Sequence, residues 1–133
     1  MEQQRPERPK RVLVADDDTA VCELLHVVLT PLADVTVVND AESALAVLAS
    51  QPPFDALVSD FMLPGISGIE LVQRVRNDER VRSIPILIIS GHGSTVRLSA
   101  REAGCDAFLD KPFTLGQLRE TVSGLLALGF CPP

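Results

Sequence analysis

Five short apolar or β-branched runs alternate along this chain with segments whose apolar residues recur at helical spacing. The runs cover residues 12–15, 35–38, 56–58, 86–89 and 107–109. Continuously apolar runs are typical of parallel strands that are covered on both faces, and strand–helix alternation is typical of α/β proteins. The sequence therefore predicts a doubly wound, five-stranded parallel sheet with helices on both faces.

Turn and capping residues predict where the helices begin and end. Asp18 is expected to cap the first helix, and Gly104 is expected to end the fourth. Capping-box spacing predicts three further starts, at Asn39 with Glu42, Ser67 with Glu70, and Thr114 with Gln117. The fourth helix has a thin apolar pattern, which predicts weak packing and a candidate moving part. On the third helix, Arg74 and Arg76 are expected to point outward.

Length and composition limit what these elements can build. The chain has 133 residues, of which 46% are hydrophobic and 23% charged, enough to bury the core of a single domain. We predict a flexible tail over residues 1–10, one domain over residues 11–128 and a C-terminal tail over residues 129–133. The net charge of -6 argues against binding nucleic acid or anionic lipid through bulk attraction.

Neither a secretory signal nor a membrane span is expected. Residues 1–11 are polar and rich in Arg and Pro, without the central apolar region of a signal peptide. The run at residues 86–89 is far shorter than the roughly 18 residues that a membrane-spanning helix needs. Cys22, Cys105 and Cys131 form no CxxC pair and are expected to be reduced, structural thiols. The expected location is the cytoplasm.

Polar side chains follow four of the predicted strands. Asp16 and Asp17 come after the first strand, Asp60 after the third, Ser90 after the fourth and Lys111 close to the end of the fifth. Because the carboxyl ends of parallel strands meet at one edge of a sheet, we expect these side chains to lie close together. Three neighbouring carboxylates repel, which raises the pKa of at least one unless a divalent cation neutralises them.

Oxygen ligands of this kind suit Mg²⁺, which keeps several waters and accepts phosphate as a further ligand. Asp17 and Asp60 are expected to bind the ion directly, and Asp16 directly or through water. Met62 is expected to contribute its main-chain carbonyl. The sequence therefore predicts a magnesium site at the carboxyl edge of the sheet.

With a cation beside it, Asp60 can attack phosphorus and form an acyl phosphate. Ser90 is placed to hydrogen-bond a phosphoryl oxygen. The ammonium group of Lys111 would pair with Asp60 at rest and with the phosphoryl group afterwards. These roles predict a protein that accepts a phosphoryl group on Asp60.

The order and spacing of these residues resemble those of the receiver domain of two-component response regulators, over about residues 11–128. The resemblance rests on Asp16-Asp17, on Ser59-Asp60-Phe61-Met62-Leu63-Pro64-Gly65, on Ser90-Gly91 and on Lys111-Pro112-Phe113. It implies a flavodoxin-like sheet with strand order 2-1-3-4-5 and a cis peptide bond between Lys111 and Pro112. It also implies Mg²⁺-dependent transfer from a phosphohistidine of a partner kinase to Asp60. Such a chain is a signalling phosphoacceptor and not an enzyme, although it catalyses its own phosphorylation and slow dephosphorylation.

The resemblance further implies a conformational switch. In the family, the hydroxyl at the Ser90 position moves toward the phosphoryl group and an aromatic at the Phe108 position rotates inward. This changes the surface formed by the fourth helix, fifth strand and fifth helix. The chain contains no tyrosine, so a partner that reads a tyrosine hydroxyl there is excluded. In the family, the positions of Met62 and His92 flank the path of the hydrolytic water, so the resemblance implies that these residues tune the lifetime of the phosphorylated state.

The expected partners are a histidine kinase or phosphotransfer protein, and a downstream protein or a second copy of the chain, with no nucleic acid and no membrane. Leu126 and Leu128 lie off the main apolar stripe of the last helix and are candidates for a partner or dimer surface. Residues 129–133 are too few to form an output domain, so none is expected there. We therefore expect either a stand-alone receiver, which Met1 and the polar leader favour, or a receiver excised from a hybrid kinase or multidomain regulator.

Two other functions remain open from the residues. In a haloacid-dehalogenase-like phosphatase, Asp16 would be the nucleophile and Asp18 the acid, because the DDDTA stretch approximates that family's DxDx motif. Ala20 in place of Thr or Val, the lack of room for a cap domain and the unused Asp60 count against it. A purely structural interaction module is the other alternative. Labelling by a small phosphodonor separates the three, since each predicts a different dependence on Asp60, Asp16 and Mg²⁺.

Overall fold

A computed structural model describes residues 9–51 and 53–128. Five strands and five helices alternate in the order β1 (Arg11–Ala15), α1 (Thr19–Leu29), β2 (Asp34–Val38), α2 (Ala41–Ser50), β3 (Ala56–Asp60), α3 (Gly68–Arg76), β4 (Ile86–Ser90), α4 (Ser94–Ala103), β5 (Ala107–Asp110) and α5 (Leu115–Leu128). The strands pair in the order β2-β1-β3-β4-β5, and each neighbouring pair is parallel. The predicted fold class and the strand order implied by the resemblance are both confirmed.

Successive residues of the strands face two separate apolar clusters. In β1, Val12 and Val14 pack with buried residues of α1 and α5, whereas Leu13 and Ala15 pack with buried residues of α2, α3 and α4. Helices therefore cover both faces of the sheet. This double coverage explains why the strands are apolar at nearly every position, because side chains on either face are removed from water.

Three of the four predicted helix caps are confirmed. Asp18 accepts a hydrogen bond from the N–H of Ala20 at 2.9 Å, and Ser67 accepts one from the N–H of Glu70 at 3.1 Å. Before α5, the N–H of Thr114 donates to the Gln117 side chain at 2.8 Å and the N–H of Gln117 donates to the Thr114 hydroxyl at 3.0 Å. These caps satisfy N–H groups that the first turn of a helix leaves unpaired.

The predicted cap of α2 is wrong by one residue. Asp40, and not Asn39, accepts the hydrogen bond from the N–H of Ser43, at 2.7 Å. Asp and Asn are about equally good caps, so two adjacent candidates cannot be separated by propensity. The Asn39 side chain donates instead to the main chain at the end of β1.

Two side chains that were predicted to lie at the surface point inward. The guanidinium of Arg76 points inward and donates to the carbonyls of Ile84 at 2.7 Å and Gly104 at 2.9 Å. A long side chain can pass along an apolar surface and still place its charge among acceptors. Leu126 is 8% exposed and packs in the core, so it is not part of a partner surface, whereas Leu128 is 64% exposed.

Helix α4 is weakly packed, as predicted. Among its side chains that the structure describes, only Ala100 is buried. The helix follows Gly93, which has a φ of 77° and no side-chain cap, and ends at Gly104, which has a φ of 115°. Positive φ at both ends favours glycine, because a Cβ is strained there. With few buried side chains, α4 remains a candidate moving part.

Parts of the predicted tails lie outside the described structure, namely residues 1–8 and 129–133, together with Cys131. Cys22 is a buried free thiol and Cys105 a half-buried one. Within residues 9–51 and 53–128, no helix is long and apolar enough to cross a membrane.

Candidate functional site

The carboxyl edge of the sheet brings the predicted site residues together. Asp16 directly follows β1, Asp60 ends β3 and Ser90 ends β4, and their exposed fractions are 1%, 9% and 1%. Asp17 is exposed beside them. Lys111 follows β5, and its N–H donates to the carbonyl of Ser90 at 2.8 Å, which fixes it to the end of β4.

Three carboxylates form a cluster at this edge. Asp16, Asp17 and Asp60 each place an oxygen within 4.8 Å of the oxygens of the other two. The Nζ atom of Lys111 lies 3.4 Å from Oδ1 of Asp60, as expected for the resting pair. The peptide bond from Lys111 to Pro112 is cis, as the resemblance implies.

Asp16 is the member of the cluster whose environment is most constrained. Its Oδ1 accepts the N–H of Asp18 at 2.9 Å. Its Oδ2 is buried and has no hydrogen-bond partner within residues 9–51 and 53–128. Burial raises the pKa of Asp16, the N–H of Asp18 opposes the rise, and the charges of Asp60 and Asp17 add to it. The expected rise of a pKa in this cluster is thus found, with burial rather than repulsion as the main cause.

Ser90 and His92 contact one another. The Ser90 hydroxyl oxygen accepts the N–H of His92 at 2.9 Å and lies 3.3 Å from Nδ1 of the same residue. The imidazole ring is tilted against the ring of Phe61, with centroids 5.5 Å apart. Because Phe61 directly follows Asp60, His92 lies between the serine and the chain segment that leaves the acceptor.

Met62 and Phe108 are the remaining residues predicted to belong to the site. The Met62 side chain is 54% exposed in the loop after β3. Phe108 is half-buried, and the guanidinium carbon of Arg97 lies 4.8 Å from its ring centroid. Arg97 also donates to Oδ2 of Asp110 at 2.6 Å. Sequence reasoning missed this link between α4 and β5, since Arg97 reads as a solvated charge on a polar helix.

The start of α3 packs directly on the acceptor strand. The N–H of Gly68 donates to the carbonyl of Phe61 at 2.8 Å. A Cβ placed on Gly68 would lie 2.5 Å from the carbonyl oxygen of Asp60, closer than side chains approach main-chain atoms. Glycine at this position therefore allows the helix to begin against the main chain of the acceptor.

Two residues near the acids were not predicted to belong to the site. Asn39 Nδ2 and Cys22 Sγ each lie 3.1 Å from the carbonyl oxygen of Asp16 and donate to it. The sheet register pairs Ala15 with Val38, so the residues after β1 and β2 are neighbours. That register would have revealed Asn39, but a single sequence does not supply it.

The side chain of Asp18 accepts hydrogen bonds from the N–H groups of Ala20 and Val21, at 2.9 and 3.3 Å. It is therefore engaged in capping α1. The phosphatase alternative requires this carboxyl as its acid, so the geometry counts against that alternative.

Comparison with known proteins agrees with this geometry. Residues 12–123 match the family described as the response regulator receiver domain. Response regulator Rre1 of Synechocystis sp. is 36% identical over 121 residues, which is 90% of this chain and 52% of that protein. Chemotaxis protein CheY of Pseudomonas aeruginosa is 31% identical over 115 residues, covering 84% of this chain and 92% of that protein.

A solved structure of the receiver domain of the Francisella response regulator 1452 has a TM-score of 0.82 at 30% identity, covering 91% of this chain and 98% of that chain. The chain spans about half the length of the response regulators Rre1, PhoB and MprA that it matches. A family match over most of the chain, the shared fold and the acidic strand ends lead to one conclusion. This chain belongs to the response regulator receiver domain family of two-component signalling.

Proposed function

We propose that this chain accepts a phosphoryl group on Asp60 in a two-component phosphorelay. The observation that carries the proposal is the cluster of Asp16, Asp17 and Asp60 with the ammonium group of Lys111 3.4 Å from the Asp60 carboxylate. A carboxylate nucleophile with a cation site and a fixed ammonium group at hand can stabilise the charge that a transferring phosphoryl group carries.

The donor set fits Mg²⁺. The candidate ligands are all oxygens, and the buried Oδ2 of Asp16 has no hydrogen-bond partner in the described part of the chain. Asp17 and Asp60 would bind the ion directly, Asp16 directly or through water, and Met62 through its main-chain carbonyl. When bound, Mg²⁺ neutralises the carboxylates and coordinates phosphoryl oxygens.

Asp60 supplies the attacking carboxylate oxygen. The bond from phosphorus to the imidazole nitrogen of the donor phosphohistidine breaks, a bond from phosphorus to the Asp60 oxygen forms, and the imidazole takes a proton from solvent. Lys111 exchanges its contact with Asp60 for the phosphoryl oxygens. A histidine kinase or phosphotransfer protein supplies the phosphohistidine, so the chain is a signalling phosphoacceptor that catalyses its own phosphorylation and slow dephosphorylation.

The output of the reaction is a change of surface. The hydroxyl of Ser90, which accepts the N–H of His92 at 2.9 Å at rest, turns toward the phosphoryl group. Phe108 moves into the space that the hydroxyl leaves. Because Arg97 covers the Phe108 ring and bonds Asp110, this movement alters the surface formed by α4, β5 and α5. A downstream protein or a second copy of the chain reads that surface.

Labelling of the full chain with acetyl phosphate tests the proposal. Wild-type protein with Mg²⁺ is expected to gain one acid-stable, base-labile phosphoryl group by intact mass, and chelation of Mg²⁺ is expected to prevent this. Asp60→Asn is expected to remove the label completely. Asp78→Asn is the matched control, because Asp78 pairs with Arg80 on the surface. Persistence of the label in Asp60→Asn would overturn the proposal, and loss only in Asp16→Asn would support the phosphatase.

Met62 and His92 are proposed to set the lifetime of the phosphorylated state, by shielding or orienting the hydrolytic water. His92→Ala and Met62→Asn are each expected to change the dephosphorylation rate. His26→Ala, at an exposed position of α1, is the control and should leave the rate unchanged. Wild-type rates in both His92→Ala and Met62→Asn would remove the tuning role while leaving the acceptor role in place.

A further inference from the structure

The main chain of Asp16 is held from two sides. Its N–H donates to the carbonyl of Val38 at 3.1 Å. Its carbonyl oxygen accepts hydrogen bonds from Asn39 Nδ2 and from Cys22 Sγ, both at 3.1 Å. Cys22 lies on α1 and Asn39 in the connection from β2 to α2, so donors from two different elements converge on one carbonyl.

These bonds fix the direction of the one free oxygen of Asp16. With the N–H and carbonyl held, and with Oδ1 bonded to the N–H of Asp18 at 2.9 Å, the side chain has little freedom to rotate. Oδ2 is then the remaining side-chain oxygen of Asp16, buried and without a hydrogen-bond partner among the residues described, and Asp16 belongs to the carboxylate cluster. Its position follows from the bonds that hold the rest of the residue.

The side chain of Asn39 bonds the main chain of Asp16 and does not cap the helix that follows it. Asp40 caps α2, so the amide of Asn39 is not needed to begin the helix. Asn39 is exposed, whereas the other donor, Cys22, lies on the buried side of α1 and is 7% exposed. An exposed side chain that bonds the main chain of a buried acid contributes little apolar burial, so its effect on the site can be separated from its effect on the core.

We infer that Asn39 is a positioning residue for cation binding, and that it acts with Cys22 by holding the main chain of Asp16. The inference rests on the proposed function, because the acids are the proposed ligands. Residues that orient metal ligands typically change metal affinity by about 10- to 100-fold when they are removed. The hydrogen bond from Asn39 is neutral and shares its acceptor with a second donor, so removing it is expected to weaken metal affinity by about tenfold, the low end of this range.

Titration of Mg²⁺ into the full chain by calorimetry tests this without any phosphodonor. Asn39→Leu keeps the branched shape and the number of side-chain heavy atoms and removes the donor, and its dissociation constant for Mg²⁺ is expected to rise by about tenfold. Asn77→Leu makes the same change at another exposed asparagine, after α3, and should bind as the wild type does. The rise in the unfolding temperature produced by Mg²⁺ should shrink in Asn39→Leu, while the unfolding temperature without Mg²⁺ should stay close to that of the wild type.

Substitutions of Cys22 provide an independent test of the same inference. Cys22→Ser keeps a donor at the carbonyl and is expected to retain Mg²⁺ affinity, whereas Cys22→Ala is expected to weaken it. In Cys22→Ala/Asn39→Leu, the carbonyl of Asp16 loses both side-chain donors, so the loss of affinity should exceed the product of the single effects.

The outcomes separate this inference from the proposed function. If wild-type protein binds Mg²⁺ and Asn39→Leu binds it as tightly as Asn77→Leu does, the positioning role is overturned and the acceptor role of Asp60 is unaffected. If wild-type protein binds no Mg²⁺ at millimolar concentration, the proposed cation site and this inference both fail.

Discussion

The two edges of the sheet carry similar charged residues, but they differ in how closely hydrogen-bond donors approach the carboxylates. At the amino edge, where the strands begin, Asp106 accepts the Arg76 guanidinium and the N–H of Ile86, each at 2.8 Å. At the carboxyl edge, the ammonium of Lys111 approaches Asp60 only to 3.4 Å.

The same edge also holds the unpaired atoms. Two buried carboxylate oxygens there, Oδ2 of Asp16 and Oδ1 of Asp110, have no hydrogen-bond partner among the described residues. A carboxylate whose acceptors are filled stabilises the fold, whereas a buried carboxylate with an empty acceptor reduces stability until a ligand arrives. Asp106 and Asp16 are the same residue type, but the structure supplies charged and main-chain donors to one and leaves a buried oxygen of the other without a partner.

The largest expected effect comes from breaking the amino edge. Arg76→Met keeps the apolar stem but leaves the carbonyls of Ile84 and Gly104 and the carboxylate of Asp106 without the guanidinium. The free energy of unfolding is expected to fall by about 2 to 3 kcal/mol in urea denaturation, since hydrogen bonds to charged groups contribute about that much each and water replaces some of them.

Arg80→Met is the control for Arg76→Met. The Arg80 side chain is 66% exposed and pairs with Asp78 on the surface, so no measurable loss is expected. If both variants lost the same free energy of unfolding, the hydrogen bonds of Arg76 would stabilise the fold no more than an ordinary surface ion pair does.

At the carboxyl edge, a substitution is expected to raise the free energy of unfolding, by less than Arg76→Met lowers it. Asp16→Asn removes the charge of a buried carboxylate, so without Mg²⁺ the unfolding free energy near neutral pH is expected to rise, by about 1 kcal/mol. Asp55→Asn, the same change at a buried acid that accepts the N–H of Arg11 at 2.8 Å, is expected to lower it. Saturating Mg²⁺ should stabilise the wild type more than Asp16→Asn.

The gain in Asp16→Asn is expected to depend on pH. Burial raises the folded-state pKa of Asp16 above its ordinary value of 3.8, so the folded state binds the proton more tightly than the unfolded state does. The wild type therefore loses stability as the pH rises from below 3.8 through the folded-state pKa, and the gap to Asp16→Asn is present at neutral pH and closes toward acid. Urea titrations across that pH range measure it, and a gap that widens toward acid would contradict the argument.

The smallest effect is expected at Arg97. Its pair with Asp110 has side chains 44% and 45% exposed, so Arg97→Met is expected to lower stability by less than about 1 kcal/mol. Hydrogen exchange in α4 should nevertheless increase, because the link from α4 to Phe108 and β5 is lost. Arg101→Met on the same helix is the control. A loss of stability as large as that in Arg76→Met would mean that this carboxyl-edge pair behaves like an amino-edge one.

The outline of the site could be predicted because its chemistry lies at strand ends. Asp16, Asp60, Ser90 and Lys111 each follow an apolar run, and parallel pairing alone brings the ends of such runs together. The strand order itself came from the family resemblance, since periodicity does not determine which strands are neighbours.

The errors arose where a side chain reaches beyond its own element. Arg76 reads as solvent-facing on a helical wheel, but its length lets the guanidinium reach carbonyls at 2.7 and 2.9 Å. Asn39 and Asp40 are adjacent and equally able to cap, and only the register of β2 against β1 assigns Asn39 to the acidic site. Sequence patterns report local periodicity, and these contacts are non-local.

The junction at Gly68 has a consequence for how such a protein can diversify. Because the N–H of Gly68 bonds the carbonyl of Phe61, the loop between them leaves and rejoins the scaffold at one point. Pro64 at its exposed tip can then be exchanged while the backbone of Asp60 stays in place, whereas Gly65, with a φ of 84°, favours glycine. The exposed part of this loop can thus vary without moving the acidic cluster, provided that Gly68 is kept.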